Sequence, residues 1–201
     1  GLSYTARLEI LPFGKFTGNN DYVEGDLARE PKPKLSIAAS YNYNALALRN
    51  GGQLGTDLYS ATNMQNLHLD ILFKYKGFAF YNEFCERISD KPVTVDVTGT
   101  KFSSVYVGVG NLTQISYLFK NNYEVAARYA FIAPFSSVYA NTDYPTVNLN
   151  REEHLHVGVT KYIVGHRLKV QANVTYNTKR NIQAATSTSK LGVFFQIELG
   201  I

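Results

Sequence analysis

Residues 35–44, LSIAASYNYN, alternate apolar and polar side chains with a period of two. Such alternation places Leu35, Ile37 and Tyr41 on one face of a strand and Ser36, Ser40 and Asn42 on the other. The same pattern recurs about nine times along the chain, mostly in segments longer than the roughly five or six residues usual in globular proteins. A tilted strand that crosses a bilayer needs about nine to eleven residues. The pattern therefore predicts an all-β fold, a transmembrane antiparallel β-barrel whose apolar face contacts lipid.

Composition sets limits on the class of protein. The 201 residues are 45% hydrophobic and 18% charged, which suits a single folded domain over residues 1–201. Mean hydropathy is −0.18 and no stretch approaches eighteen apolar residues, so a helical membrane span is excluded. The net charge is +4, but the bases are scattered among acids, so nucleic acid is not an expected partner. Cys85 is the single cysteine, which excludes an internal disulfide.

The period-two segments predict nine strands separated by alternating short and long connections. Short turns are predicted at 76–77, 121–122 and 164–166, as in outer-membrane barrels, whereas residues 14–34 are long where a short turn is due. The predicted strands are 2–13, 33–46, 64–76, 77–88, 103–119, 122–134, 153–164, 167–178 and 189–201. An odd count places the two ends on opposite sides of the membrane, so we expect the C-terminal portion of a larger barrel of about sixteen strands. The alternative is a complete small barrel of eight or ten strands.

Charged side chains collect on the polar face and are candidates to line a pore. They are Arg7, Glu9, Asp70, Lys74, Glu83, Arg87, Glu124, Arg128, Lys169 and Gln171. In a soluble lipocalin-type barrel the same residues would be surface charges. In a membrane barrel they would line a wet interior, where ion pairs stiffen the wall. Strand length and loop alternation favour the membrane barrel.

Three polar residues interrupt the apolar face, namely Asn82, Asn111 and Thr113. One interpretation is a β-bulge that shifts the register and turns them inward. The other is that they contact another subunit rather than lipid. Lys161 also falls on the apolar face, close to a turn from which its amine can reach water.

Motifs of catalysis and metal binding are weak in this chain. His154 and His156 share one face beside Glu152, but two histidines without a third firm ligand do not predict a metal site. Serines near the loops lack a recognisable base and orienting group, and no glycine-rich turn precedes a helix. The sequence predicts no enzyme activity, no catalytic residue, no cofactor and no metal.

Several stretches resemble the phosphate-selective porin O and P family, in the variants common in Bacteroidetes-type bacteria. The longest is residues 117–129, YLFKNNYEVAARY, preceded by GVG at 108–110. Others are DYVEGDL at 21–27, PKL at 33–35 and FKYKGF at 73–78. The resemblance covers essentially the whole chain and corresponds to the C-terminal half of the family. It implies a 16-stranded, usually trimeric channel in the outer membrane of a Gram-negative bacterium, without a cofactor.

The resemblance also implies passive transport of small hydrophilic solutes, including anions such as phosphate. In the family, selectivity comes largely from bases in the pore and on an inward-folded loop of the N-terminal half, which we expect to lie outside this chain. Here the wall bases share their face with Glu9, Asp70, Glu83 and Glu124, so the field partly cancels. For each base an ion pair is favoured over a solute contact. The alternative function is a structural outer-membrane barrel that serves as a platform for a partner assembly.

Overall fold

The computed structural model describes residues 1–140 and 150–200. Its strands are β1 (Ser3–Ile10), β2 (Lys34–Arg49), β3 (Asp57–Tyr75), β4 (Phe78–Ser89), β5 (Val93–Val95), β6 (Phe102–Ser104), β7 (Gly108–Leu118), β8 (Tyr123–Pro134), β9 (Asn150–Val164), β10 (Leu168–Asn181) and β11 (Ser187–Leu199). A 3₁₀ turn covers Thr17–Tyr22, and one α-helical turn, α1, covers Ser136–Tyr139. No helix in these two ranges is long and apolar enough to cross a membrane.

Nine strands form a single antiparallel sheet in the order β1-β2-β3-β4-β7-β8-β9-β10-β11. The prediction of an all-β fold with nine successive antiparallel strands is confirmed. One predicted strand is wrong in extent, because 103–119 divides into β6 and β7. Ser103 and Ser104 pair instead with β5, in a small hairpin outside the main sheet. The predicted end of the last strand, Ile201, lies outside the described residues.

Short turns connect β3 to β4, β7 to β8 and β9 to β10 at one end of the sheet, which we call the turn end; the opposite end is the loop end. Lys76 and Gly77 both have positive φ, 50° and 91°, the backbone of a tight type I′ hairpin turn. Asn122 and Gly165 also have positive φ in the two other short turns. All three predicted turns are therefore confirmed.

Strands β1 and β11 are the two edges of the sheet. Within residues 1–140 and 150–200 no strand pairs with the outer side of either edge, so the sheet is open. Because each strand runs antiparallel to the next, the first and the ninth run in the same direction.

Burial in this sheet is the reverse of that in a soluble protein. Apolar side chains are exposed across the nine strands, with Leu8 71% and Val193 75% accessible. On the other face Lys74 is 1% and Glu124 is 7% accessible. Charged residues are seldom fully buried in soluble proteins, and large continuous apolar surfaces are seldom exposed. The sheet therefore turns its apolar face outward and covers its polar face.

Candidate functional site

The strand register places the ten candidate pore-lining residues on one face, which we call the polar face. Directly opposite residues of an antiparallel pair share a face, and Ser40, His68, Cys85 and Gly110 form such a row from β2 to β7 beside Arg7 of β1. The remaining rows follow the same parity. The polar face carries Arg7, Glu9, Asp70, Lys74, Glu83, Arg87, Glu124, Arg128, Lys169 and Gln171.

Most of these side chains form ion pairs or hydrogen bonds. Arg7 binds both carboxylate oxygens of Asp70, at 2.7 and 3.1 Å. Lys169 lies 3.0 Å from the carboxylate of Glu198 on the adjacent strand. The Arg87 Nε donates to Asn66 at 2.6 Å. Ion pairing of the bases is thus observed for Arg7 and Lys169, whereas Arg87 pairs with a neutral amide.

Partners of the other members of the set are also close. The hydroxyl of Tyr81 donates to Glu83 at 3.0 Å, and that of Ser36 donates to Glu9 at 2.7 Å. Gln171 donates to Thr160 at 3.1 Å. These side chains of the polar face are therefore held by neighbouring polar groups rather than left as free charges.

Residues 14–33, which connect β1 to β2, fold along the polar face at the turn end; we call this segment the strap. Its anchor is a pair of buried carboxylates, Asp26 and Glu30, each 1% exposed. Asp26 accepts the backbone N–H of Gly77 at 2.7 Å and that of Glu30 at 3.0 Å. Glu30 in turn accepts the N–H of Thr17 at 2.6 Å.

Contacts with β3 and with the β7–β8 turn complete the anchor. Lys74 donates to the carbonyl of Asn20 at 2.7 Å and its Nζ lies 5.4 Å from the centre of the Phe16 ring. Arg29 donates to the carbonyl of Phe119 at 2.6 Å. The strap therefore crosses from the edge of the sheet at β1 to β8.

The tip of the strap, residues 21–25, rests on side chains of the polar face. Arg128 donates to Glu24 at 2.5 Å, and the Tyr22 hydroxyl donates to Glu9 at 3.4 Å. Gly25 passes so close to β8 that an added Cβ would lie 2.7 Å from Oε1 of Glu124. Glu124 is itself held by the Tyr162 hydroxyl at 2.6 Å.

Sequence reasoning identified the length of residues 14–34 as exceptional but did not identify their role. The missed residues are Glu24, Asp26, Arg29 and Glu30. The available signal was the presence of four acidic residues in a connection that is long where a short turn is due. The inward-folded loop that the family resemblance implies was expected outside this chain, yet this chain folds a segment of its own over the polar face.

Two cavities of the polar face flank the strap tip, one on each side. The larger, about 520 Å³, is lined from β7 to β10 and includes Arg128 and Lys169. The smaller, about 320 Å³, is lined from β1 to β4 and includes Glu9 and Glu83. Their shared lining residues are Tyr22, Val23 and Glu24. The tip is thus the partition between them.

Near the loop end a cluster of buried apolar side chains covers the sheet. Met64 of β3 packs with Val105, Val107 and Val138, the last from α1. The backbone N–H of Phe135 donates to the carbonyl of Val107 at 3.0 Å and ties the two covering segments together. Covering segments therefore lie over the polar face at both ends, the strap at the turn end and the apolar cluster at the loop end.

Asn82, Asn111 and Thr113 form a polar patch on the apolar, outward face. The β3–β4 and β4–β7 pairings continue through these positions without a register shift, so the bulge interpretation is wrong. Asn82 donates to Thr113 Oγ1 at 2.7 Å and to Asn111 Oδ1 at 3.3 Å. Lys161 also lies outward near a turn, where it donates to the carbonyl of Asn121 at 2.6 Å.

The histidine pair on β9 has local partners. The rings of His154 and His156 stack with centroids 6.2 Å apart, and His154 Nδ1 lies 2.9 Å from Asn177 Oδ1. Glu152 is 3.6 Å from His154 Nε2. Across the described ranges, no group of three or more His, Cys, Asp or Glu side chains is placed to hold a metal ion.

Comparison of the chain with protein-family models, with curated proteins and with solved structures gave no match.

Proposed function

We propose that this chain forms the larger part of an outer-membrane β-barrel of the phosphate-selective porin O and P type, through which small hydrophilic solutes diffuse passively. The observation that carries the proposal is the reversed burial, with Leu8 and Val193 exposed and Lys74 and Glu124 covered. Membrane barrels have this arrangement, an apolar band toward lipid and a polar lumen. The location that follows is the outer membrane of a Gram-negative bacterium.

The open edges of the sheet set a condition on the barrel. Unpaired backbone N–H and C=O groups cost several kcal/mol each in the hydrocarbon region. In a bilayer, β1 and β11 must therefore pair with further strands. Since these two edges run in the same direction, antiparallel closure needs an odd number of added strands, and sixteen in total satisfies that condition.

The polar face supports a general path for hydrophilic solutes more than a dedicated phosphate path. Its ten candidate residues include five bases and four acids, and the bases Arg7, Arg128 and Lys169 are each paired with a carboxylate. A field of one sign concentrates anions, whereas paired charges of both signs largely cancel. We propose weak ion selectivity and a homotrimeric assembly.

Planar-bilayer recordings on the intact protein test the proposal. We expect stable conductance steps and a reversal potential close to zero in a tenfold KCl gradient. A barrel that is folded and inserted, as judged by its heat-modifiable electrophoretic mobility, and that nevertheless shows no conductance would contradict the channel and favour a membrane platform for partner proteins.

A further inference from the structure

We propose that the ion pair between Glu24 and Arg128 is a latch that determines which solutes pass, because it fixes the strap tip between the two cavities of the polar face. The inference rests on the proposed channel function. It assigns the selection of solutes by size and charge to one contact, between two residues that are 104 positions apart in the sequence.

The two parts of the strap are held very differently. The anchor uses Asp26 and Glu30, both buried; Asp26 accepts the buried backbone N–H groups of Gly77 and Glu30, and Glu30 accepts that of Thr17. Charge-assisted hydrogen bonds in such surroundings are strong. The anchor is therefore a fixed point for any movement of the strap.

The tip has weaker attachments. Tyr22 is 78% exposed, and its hydroxyl is 3.4 Å from Glu9, at the long limit of a hydrogen bond. The short contact is the one between Glu24 and Arg128, whose side chains are 41% and 37% exposed. Water reaches both charges, so this pair is weak. A contact of that strength holds the tip in place most of the time without making it permanent.

Arg128 is positioned for this role from its own strand. Its Nε donates to Gln114 of β7 at 2.7 Å, which leaves the Nη2 end of the guanidinium directed at Glu24. The base of the pair is thus preorganised on the rigid sheet, and the acid is carried by the movable strap.

The cavities that the tip separates differ in charge. The smaller is lined by five carboxylates and a single base, Arg7, which is already paired with Asp70. The larger combines Arg128 and Lys169 with Glu24 and Glu124, together with two histidines and several amides. A small cation is favoured on one side and an anion on the other. Because the cavities lie side by side across the sheet, from β1 to β4 and from β7 to β10, the tip separates a cation-favouring path from an anion-favouring path.

The test uses single-channel recording of the intact protein with Glu24→Gln, Arg128→Gln and the exchange Glu24→Lys with Arg128→Glu. Each single variant breaks the pair and joins the cavities, so we expect conductance to rise about twofold in both, because a pore constriction limits flow. The reversal potential moves in opposite directions, toward anions for Glu24→Gln and toward cations for Arg128→Gln. The exchange restores the pair with reversed sign and returns conductance to the parent value.

Glu153→Gln is the matched control, since Glu153 pairs with Arg151 at 2.8 Å on the outward side of β9. It removes the same charge without touching the strap. If Glu24→Gln changes selectivity but leaves conductance at the parent value, the charge matters and the latch is refuted.

A second readout separates failure of the latch from failure of the channel. A spin label at Tyr22→Cys, in a Cys85→Ser background, reports tip mobility whether or not the protein conducts. We expect Glu24→Lys to increase that mobility strongly, because like charges then face each other. Unchanged mobility refutes the latch, whereas increased mobility in a barrel that never conducts supports the latch and refutes the channel.

Discussion

The carboxylate of Asp26 accepts a hydrogen bond from the backbone N–H of Gly77 at 2.7 Å, although 51 residues separate them. Gly77 belongs to the tight β3–β4 turn and has a φ of 91°, where a Cβ would lie 2.5 Å from the carbonyl oxygen of Leu118. The strap is thus attached to a turn whose backbone admits only glycine. The Asp26 carboxylate is therefore the hydrogen-bond acceptor for two buried N–H groups, those of Gly77 and Glu30.

Replacement of Asp26 by alanine should lower the stability of the folded protein. Each buried N–H left without an acceptor costs about 1–3 kcal/mol. We expect a clear decrease in the unfolding temperature of the detergent-solubilised protein, followed by circular dichroism. Asp21→Ala is the matched control, because Asp21 is a carboxylate of the same strap whose side chain lines the smaller cavity. Equal unfolding temperatures for the two variants would show that the anchor is not needed.

Replacement of Gly25 by alanine should push the strap away from β8. The new Cβ would lie 2.7 Å from Oε1 of Glu124, which cannot retreat freely because Tyr162 holds the same carboxylate at 2.6 Å. Overpacking of this kind costs about 1–3 kcal/mol. The measurement is the urea midpoint of unfolding in detergent. Gly200→Ala provides the comparison, since its added methyl would meet nothing nearer than 3.5 Å, and an equal loss in both variants would contradict the proposed crowding.

The outward patch of Asn82, Asn111 and Thr113 should contribute to subunit contact. Asn82→Leu removes the donor that joins Asn111 and Thr113. Hydrogen bonds between subunits within a membrane are worth about 0.6–2 kcal/mol each. We expect the proposed trimer to dissociate at lower detergent concentration, measured by light scattering after size exclusion. Ile71→Leu, on the adjacent strand, should have no effect. A trimer that survives Asn82→Leu unchanged would mean that the patch faces lipid.

Acid should loosen the loop between β5 and β6 through Asp96. Its carboxylate accepts hydrogen bonds from Thr98 Oγ1 at 2.7 Å and from the N–H of Thr100 at 2.8 Å. The Thr98 hydroxyl and the backbone N–H groups of Lys101 and Thr100 hold the pKa of Asp96 below its ordinary 3.8. A lowered pKa means that the carboxylate stabilises the loop above about pH 3.8 and that this contribution disappears as the pH falls through the lower, folded value. Carbon-13 titration of the carboxyl group should show this low pKa, and a value at or above 3.8 would exclude the effect.

The nine strands could be predicted because each depends on a local pattern. The alternation within residues 35–44 indicates which side chains lie on each face of the strand. The short turns carry Gly77, Asn122 and Gly165 at positions of positive φ. Strand ends were less accurate, since β3 begins at Asp57 rather than near residue 64. Residues 57–63 extend β3 beside the β5–β6 hairpin, where the Tyr59 N–H donates to Thr94 Oγ1 at 3.1 Å, a contact that no local pattern indicates.

The strap and the β5–β6 hairpin could not be predicted in the same way. Asp26 meets Gly77, and Glu24 meets Arg128, across separations of 51 and 104 residues. Nothing in the sequence near Glu24 distinguishes a carboxylate that spans the sheet from one in a solvated loop. The shared face of the five bases follows from strand parity, but their partners depend on contacts between strands and on the path of the strap.

The separation between Glu24 and Arg128 also bears on how the chain folds. Closing so long a loop is entropically costly, and the strap has nowhere to dock until β2, β3, β4, β7 and β8 lie side by side. Docking therefore comes late and only onto a sheet whose middle strands are all in register. Once the contacts at residues 24–30 have formed, β1 and β2 can separate from the sheet only if the bonds to β3 and β8 are lost at the same time. The strap thus converts a row of neighbouring strand pairs, each able to fray alone, into a unit that opens cooperatively.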